Sequence, residues 1–258
     1  MIRIQRPAVV PAGLAGGPPL VTAACALHDG DPQLYATSKG RFDFDDSVYG
    51  CETVRVSLKD AQSYKCCYCE SRVEHVSYGE VEHFRPKAAW RQERRSQLTR
   101  PGYYWLAYSW ENLLWSCKTC NGRHKGTIFP LEDPAARDCA GRTIDGEIPL
   151  LVDPTRMDPR DHIRFKLEEA IPRTDCGEIT IAVLALNRES LREERRGHLE
   201  RLVAQWYNVQ LARELGGEAM AREQVQDAMR SLEHAVLPRA CYSSMAIDLI
   251  ADLDATPL

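Results

Sequence analysis

The sequence of 258 residues has no apolar run long enough to cross a bilayer and no apolar leader at its start. A cytoplasmic setting with no membrane partner is expected. It has no Gly-rich phosphate loop and no Walker lysine, so nucleotide hydrolysis by this chain is not expected. No internal repeat is present. An excess of positive charge is missing too: 33 Lys+Arg stand against 37 Asp+Glu, a formal net charge of −4 with a pI near 6.0. That balance excludes a protein that coats nucleic acid with its whole surface, so any such binding must rest on a local patch.

Cysteine, by contrast, is plentiful, at ten residues. Four form two Cys-x-x-Cys turns, Cys66/Cys69 and Cys117/Cys120. Each turn lets two thiolates converge, and two turns supply the four sulfurs of a tetrahedral structural zinc site. In a reducing compartment such pairs more often bind metal than form disulfides. Cys67 sits between the ligands, and the spacing favours Cys66 over it. Cys25, Cys51, Cys139, Cys176 and Cys241 share no spacing and read as small buried side chains.

Between the two turns lies Glu82-His83, and after the second come Asn121, His124 and Lys125. Residues 81–84 read as a strand ending at Pro86, residues 112–115 as a second strand, and Thr119 to Gly126 as the opening of a helix. A neutral imidazole can take a proton from water near pH 7. A carboxylate and an amide oxygen suit a hard cation such as Mg²⁺ or Mn²⁺. No second acidic cluster is visible, which favours chemistry with one ion.

Strand, long loop, strand and helix between zinc knuckles resemble the ββα-metal, or HNH, nucleases. The resemblance rests on Glu82-His83, on Trp110-x-Asn112-Leu113 and on the Cys-x-x-Cys-Asn that ends at Asn121. It implies that His83 is the general base, that Glu82 and Asn121 hold one divalent ion, and that Asn112 ties the loop together through backbone hydrogen bonds. Glu stands where the family more often has Asp, and Asn121 where it more often has His, which leaves the third ligand open. His124 is a candidate for it, for a phosphate contact, or for a plain surface residue. His75, after Glu74, mimics the Glu-His pair but lies in the loop before the strand. The segments Cys66-Cys-Tyr-Cys-Glu70, Gly79-Glu-Val-Glu-His-Phe-Arg-Pro-Lys87 and Cys120-Asn-x-x-x-Lys125 are similar to the PtuB-like HNH subunits of Septu and retron anti-phage systems. Asp158-Pro-Arg-x-His162, Gly177-x-Ile-Thr-Ile181 and Leu186-Asn-Arg188 extend that likeness. It implies DNA hydrolysis leaving a 5′-phosphate, and an ATPase partner of ABC/SMC type. Two other readings stay open: an HNH enzyme acting on RNA or tRNA, and a non-catalytic zinc-ribbon binding module. A homo-oligomer is compatible with all of them.

The expected class is α+β, in three parts: an extended N-terminal arm (1–46), a zinc-stapled nuclease core (47–135), and short strands followed by a helical part (136–258). In the arm, Pro7, Pro11, Pro18 and Pro19 argue against a long helix over 1–20, and the arm is a candidate docking segment. Residues 21–46 read as turns, with Tyr35, Phe42 and Phe44 as packing residues. A helix is expected over 47–63 from its apolar spacing. The stretch 84–101 carries Arg85, Lys87, Arg91, Arg94, Arg95 and Arg100 against the single acid Glu93. Arg85, Lys87 and, from the helix, Lys125 are the expected phosphate contacts. Residues 130–160 form a proline-rich bridge. Alternation of Ile179, Ile181 and Val183 predicts a strand over 178–183 after one over 162–167. Helices are expected from Arg188 to Leu215, Glu218 to Leu237 and Cys241 to Leu253.

Overall fold

The computed structural model describes residues 1–73, 79–215 and 219–255. His75 lies outside them. The class is α+β with small sheets. After a 3₁₀ turn at Ala12–Gly16 come helices α1 (Gly17–Gly30), α2 (Pro32–Tyr35), α3 (Asp46–Tyr49) and α4 (Glu52–Ala61). Strands β1 (Gly79–His83) and β2 (Leu113–Cys117) pair antiparallel, with Glu82 opposite Leu114 and His83 opposite Leu113. A π-helical turn over Thr119–Lys125 follows, its wide pitch marked by the Gly126 N–H donating to Asn121 O at 2.6 Å. Then come α5 (Pro159–His162), the hairpin β3 (Ile163–Lys166) and β4 (Glu169–Pro172), and α6 (Asp175–Val183). The long α7 (Glu189–Leu215) and α8 (Ala219–Ala235) pack on each other, and α9 (Ser243–Ala255) packs on β3. Among the described residues no helix is long and apolar enough to cross a membrane.

The N-terminal segment departs from the extended arm expected over 1–46. Only its first eleven residues are extended; α1 begins within the proline-rich stretch. The reason is position: Pro18 and Pro19 fall in the first turn, where the backbone N–H has no intrahelical partner and a fixed φ costs nothing. Nor is the extended part loose. Met1 and Ile4 are buried, and Ile4 N–H donates to Pro154 O at 2.8 Å. The Arg6 guanidinium donates to Leu113 O at 2.7 Å and to Trp110 O, and it covers the Trp110 ring. The arm is thus bound to the start of β2. Tyr35, Phe42 and Tyr104 stack in series, with ring centroids 4.4 Å apart at each step.

A second correction concerns residues 178–183, which are helical rather than a strand. The Thr174 hydroxyl accepts from Gly177 N–H at 3.2 Å and so caps α6. Over six residues an alternating pattern fits either period, and the cap decides it. The hairpin ends before that cap, at Pro172.

The core runs continuously from the arm through both knuckles to α9. Gln62, at the end of α4, is its junction. Its side chain accepts from Trp115 N–H at 2.8 Å and donates to Trp115 O at 2.7 Å and Lys65 O at 3.0 Å. Cys67 N–H also reaches Trp115 O, at 2.9 Å. The first knuckle is therefore held against β2, and through it against the second knuckle.

Candidate active site and metal centre

The side chains of Cys66, Cys69, Cys117 and Cys120 converge, with their sulfurs all within 4.8 Å of one another. Cys66, Cys69 and Cys120 are buried. No other His/Cys/Asp/Glu group among the described residues comes together in this way. Four soft donors at tetrahedral spacing can bind zinc. The surroundings suit a thiolate cluster: Ser71 Oγ lies 3.2 Å from Cys69 Sγ, Cys120 N–H donates to Cys117 Sγ at 3.4 Å, and the Arg188 guanidinium supplies nearby positive charge. Cys67 is buried beside the cluster but is not one of the converging four.

Adjacent residues on a strand face opposite ways, and β1 uses this. His83 points to one side. Its Nε2 lies 2.8 Å from Ala107 O, so Nε2 carries the proton and Nδ1 is left as the basic nitrogen. Lys87 Nζ donates to that Nδ1 at 3.3 Å. Tyr49 packs edge-on against the ring at 4.8 Å. Burial pushes the imidazole down to about 3, and the charges of Lys87 and Lys125 add to it against the pull of the Ala107 carbonyl. At neutral pH His83 is an uncharged ring in a fixed tautomer.

Glu82 points to the other side, with Glu80. Lys125 Nζ sits 2.6 Å from Glu82 Oε1 and donates to His83 O at 3.0 Å; Glu82 and Lys125 are both buried. Tyr68, between the ligands of the first knuckle, donates to Glu82 Oε1 at 3.1 Å. Asn121 lies four residues before Lys125 on the π-helical turn, and its amide donates to Glu80 Oε2 at 3.0 Å. Asn121 therefore meets Glu80, while Lys125 meets Glu82. Oxygen donors from Glu80, Glu82 and Asn121 line the seam between β1 and the turn, with an ammonium among them. That donor chemistry fits a hard cation.

Asn112 stands just before β2, against the loop that follows β1. Its Oδ1 accepts from Arg85 N–H at 2.8 Å, and its Nδ2 donates to Arg85 O at 3.0 Å and Leu106 O at 3.2 Å. Both ends of the 84–106 loop are thereby fixed to β2. Arg85 is buried and ion-paired with Glu147 at 3.0 Å, and Tyr103 O–H donates to the other Glu147 oxygen at 2.7 Å. The charged neighbours of His124 among the described residues are arginines. Burial lowers its pKa, and the nearby Arg188, Arg94 and Arg123 lower it further. Sequence reasoning missed Tyr68 and Glu80. Alternation along Gly79–His83 does put Glu80 on the Glu82 face; nothing in the sequence turns Tyr68 toward it.

Two outcomes are expected. Purified protein holds one zinc per chain by elemental analysis, and Cys69→Ser or Cys120→Ser loses both the zinc and the folded core; well-folded, zinc-free protein contradicts this. The second concerns acid. Unfolded His83 titrates near 6.5 and folded His83 near 3, so the unfolded chain binds the extra proton in between. Stability therefore falls as pH drops from 6.5 toward 3, by about 2 kcal/mol at pH 5. Urea titrations at pH 7.5 and 5.0 should show wild type losing about that much more than His83→Gln; equal losses contradict a neutral buried imidazole.

No family profile matches the chain. Over 202 residues it is 40% identical to the Septu protein PtuB of Bacillus mycoides (strain KBAB4), covering 76% of this chain and 66% of that protein. Over 143 residues it is 34% identical to the Septu protein PtuB of Bacillus thuringiensis, covering 55% of this chain and 44% of that protein. It is also 29% identical over 133 residues to the Septu protein PtuA of Bacillus mycoides (strain KBAB4), covering 51% of this chain but 18% of that protein. The chain thus spans 66% and 44% of the length of these two PtuB relatives. By these similarities the chain is a homologue of the Septu PtuB proteins.

Proposed function

We propose that the chain is a metal-dependent HNH endonuclease that hydrolyses phosphodiester bonds in DNA, as the nuclease component of an anti-phage defence system. The observation that supports this best is the pair at the end of β1: a neutral imidazole with a fixed tautomer on one side, and a carboxylate held by Tyr68 and Lys125 on the other.

His83 is the base. Donation from Nε2–H to Ala107 O leaves the Nδ1 lone pair for the attacking water, once Lys87 gives it up. Lys87 has a reason to move: its ammonium can pass to a non-bridging phosphate oxygen of the substrate. As the water oxygen attacks phosphorus, its proton goes to Nδ1, and the bond from phosphorus to the 3′-oxygen breaks, the leaving oxygen taking a proton from solvent. A 5′-phosphate and a 3′-hydroxyl remain. Glu82 and Asn121, with Glu80 alongside, would hold one Mg²⁺ or Mn²⁺. Such an ion supplies Lewis-acid stabilisation of charge on the phosphoryl and leaving oxygens. Lys125 neutralises Glu82 and is available to a phosphate when that carboxylate takes another cation. Arg85, committed to Glu147, serves the loop instead. His124 among its arginines suits a phosphate neighbour rather than a cation. Asn112 keeps the loop that carries Ala107 and Lys87 in register with β1.

The relatives' names motivate the partner. A Septu system with a PtuA beside its PtuB suggests that an ATPase of the ABC/SMC type controls this chain.

Cleavage of plasmid, single-stranded DNA and RNA with Mg²⁺ and Mn²⁺ tests the reading. His83→Ala should lower DNA cleavage by about 10²–10⁴-fold while zinc content and fold stay unchanged. Glu82→Ala and Asn121→Ala should be inactive, with partial recovery at raised Mn²⁺ in those two alone. Wild-type cleavage by His83→Ala refutes the assignment of the base, and cleavage confined to RNA moves the substrate.

A further inference from the structure

The sequence shows one basic segment, 84–101. The fold assembles a second positive site from separate parts of the chain. A cleft of about 780 Å³ opens between α7, α8 and the first knuckle. Arg72 enters it from the knuckle, Arg201 from α7 and Arg239 from the turn before α9, all exposed. Among the described residues Asp60 is the one carboxylate lining it. Elsewhere Arg85, Arg142, Arg160 and Arg196 each face a carboxylate within 3.0 Å. Arg72, Arg201 and Arg239 have no carboxylate partner among the described residues.

Two polar atoms behind the cleft wall have no protein partner. Arg201 donates to His198 Nδ1 at 3.5 Å, which leaves the proton on Nε2; that nitrogen is buried with no acceptor. Gln205 Oε1 is a buried acceptor with no donor. At the rim, the Tyr64 side chain lies partly exposed beside the arginines.

We propose that this cleft is an exosite for a single strand of nucleic acid, holding its phosphates away from the Glu82–His83 centre. Guanidinium forks match phosphate oxygens in pairs, and an aromatic ring stands at the rim within reach of a base. The volume suits one nucleotide unit at a time. The site also meets a physical need: a chain of net charge −4 must draw nucleic-acid affinity from local clusters. The cleft adjoins the metal centre, because Arg72 follows Ser71, whose hydroxyl touches Cys69 Sγ. The proposal takes its substrate class from the nuclease reading; its measurement does not depend on cleavage.

The test is fluorescence anisotropy of a labelled oligothymidylate against the full chain, without added divalent metal, over a salt series. Arg201→Gln/Arg239→Gln should weaken binding about tenfold and make the slope of log K against log salt shallower by about 1.4, two single-strand phosphate contacts. Hydrolysis of bis(p-nitrophenyl) phosphate, which occupies the catalytic centre alone, should be unchanged. Unaltered affinity and slope overturn the exosite. Displacement of the oligonucleotide by ATP at equal phosphate concentration overturns it in favour of a free nucleotide. Equal displacement by oligoglutamate overturns it in favour of an acidic protein segment. If the wild type hydrolyses neither DNA nor the small diester, the nuclease reading fails while the binding result stands.

Discussion

The convergence of four sulfurs is the constraint around which this fold is arranged. Cys66 and Cys69 lie some fifty residues before Cys117 and Cys120, and the intervening chain includes β1, the basic loop and β2. Closing that loop is entropically expensive, and a metal-thiolate junction is a compact way to offset it. The consequences spread outward. Tyr68, fixed between two ligands, reaches Glu82. Glu70 leaves the same turn with positive φ and accepts from Ser243 Oγ at 3.0 Å, while Ser71 Oγ meets Tyr242 Oη at 3.0 Å. Lys65 donates to Pro238 O and Ala240 O at 2.6 and 2.8 Å. The knuckle thus orients the β1 carboxylate on one side and anchors the C-terminal helices on the other.

Buried charge marks the candidate centre. A buried carboxylate is costly unless paired, and Glu82 has an ammonium and a phenol against it. The pairing keeps a carboxylate inside the fold. His83 solves the opposite problem. It is desolvated and faces two lysines, so it stays neutral. One strand therefore presents a carboxylate and an uncharged imidazole at consecutive positions, and strand geometry alone separates them.

Much of this was legible in the sequence, for reasons that can be named. Cys-x-x-Cys spacing is itself a geometric instruction, so the four sulfurs could be assigned in advance. The long C-terminal helices carry enough turns for their apolar stripe to be read, and α7, α8 and α9 begin and end within about two residues of expectation. Asn112 was singled out through motif position, and it makes three hydrogen bonds to backbone groups of the loop. Short segments failed where patterns are degenerate: residues 178–183 alternate like a strand but obey the Thr174 cap, and prolines that break a helix interior open α1. The charge pairs failed for a different reason. Glu82 with Lys125, Asn121 with Glu80, and Arg85 with Glu147 each join residues far apart in the chain, and no local pattern encodes which partner a charged side chain meets. The cleft over Arg72, Arg201 and Arg239 was hidden in the same way.

The account turns on whether the seam between β1 and the π-helical turn is a cation site facing a scissile phosphate. The most direct measurement is a crystal structure of the His83→Ala chain with Mn²⁺ and a short DNA duplex, with manganese located by anomalous scattering. The account predicts one manganese bonded to Glu82 and Asn121, with the Lys125 ammonium displaced from Glu82 toward a phosphate oxygen. DNA bound with Lys125 still on Glu82 and no manganese in the seam would contradict it.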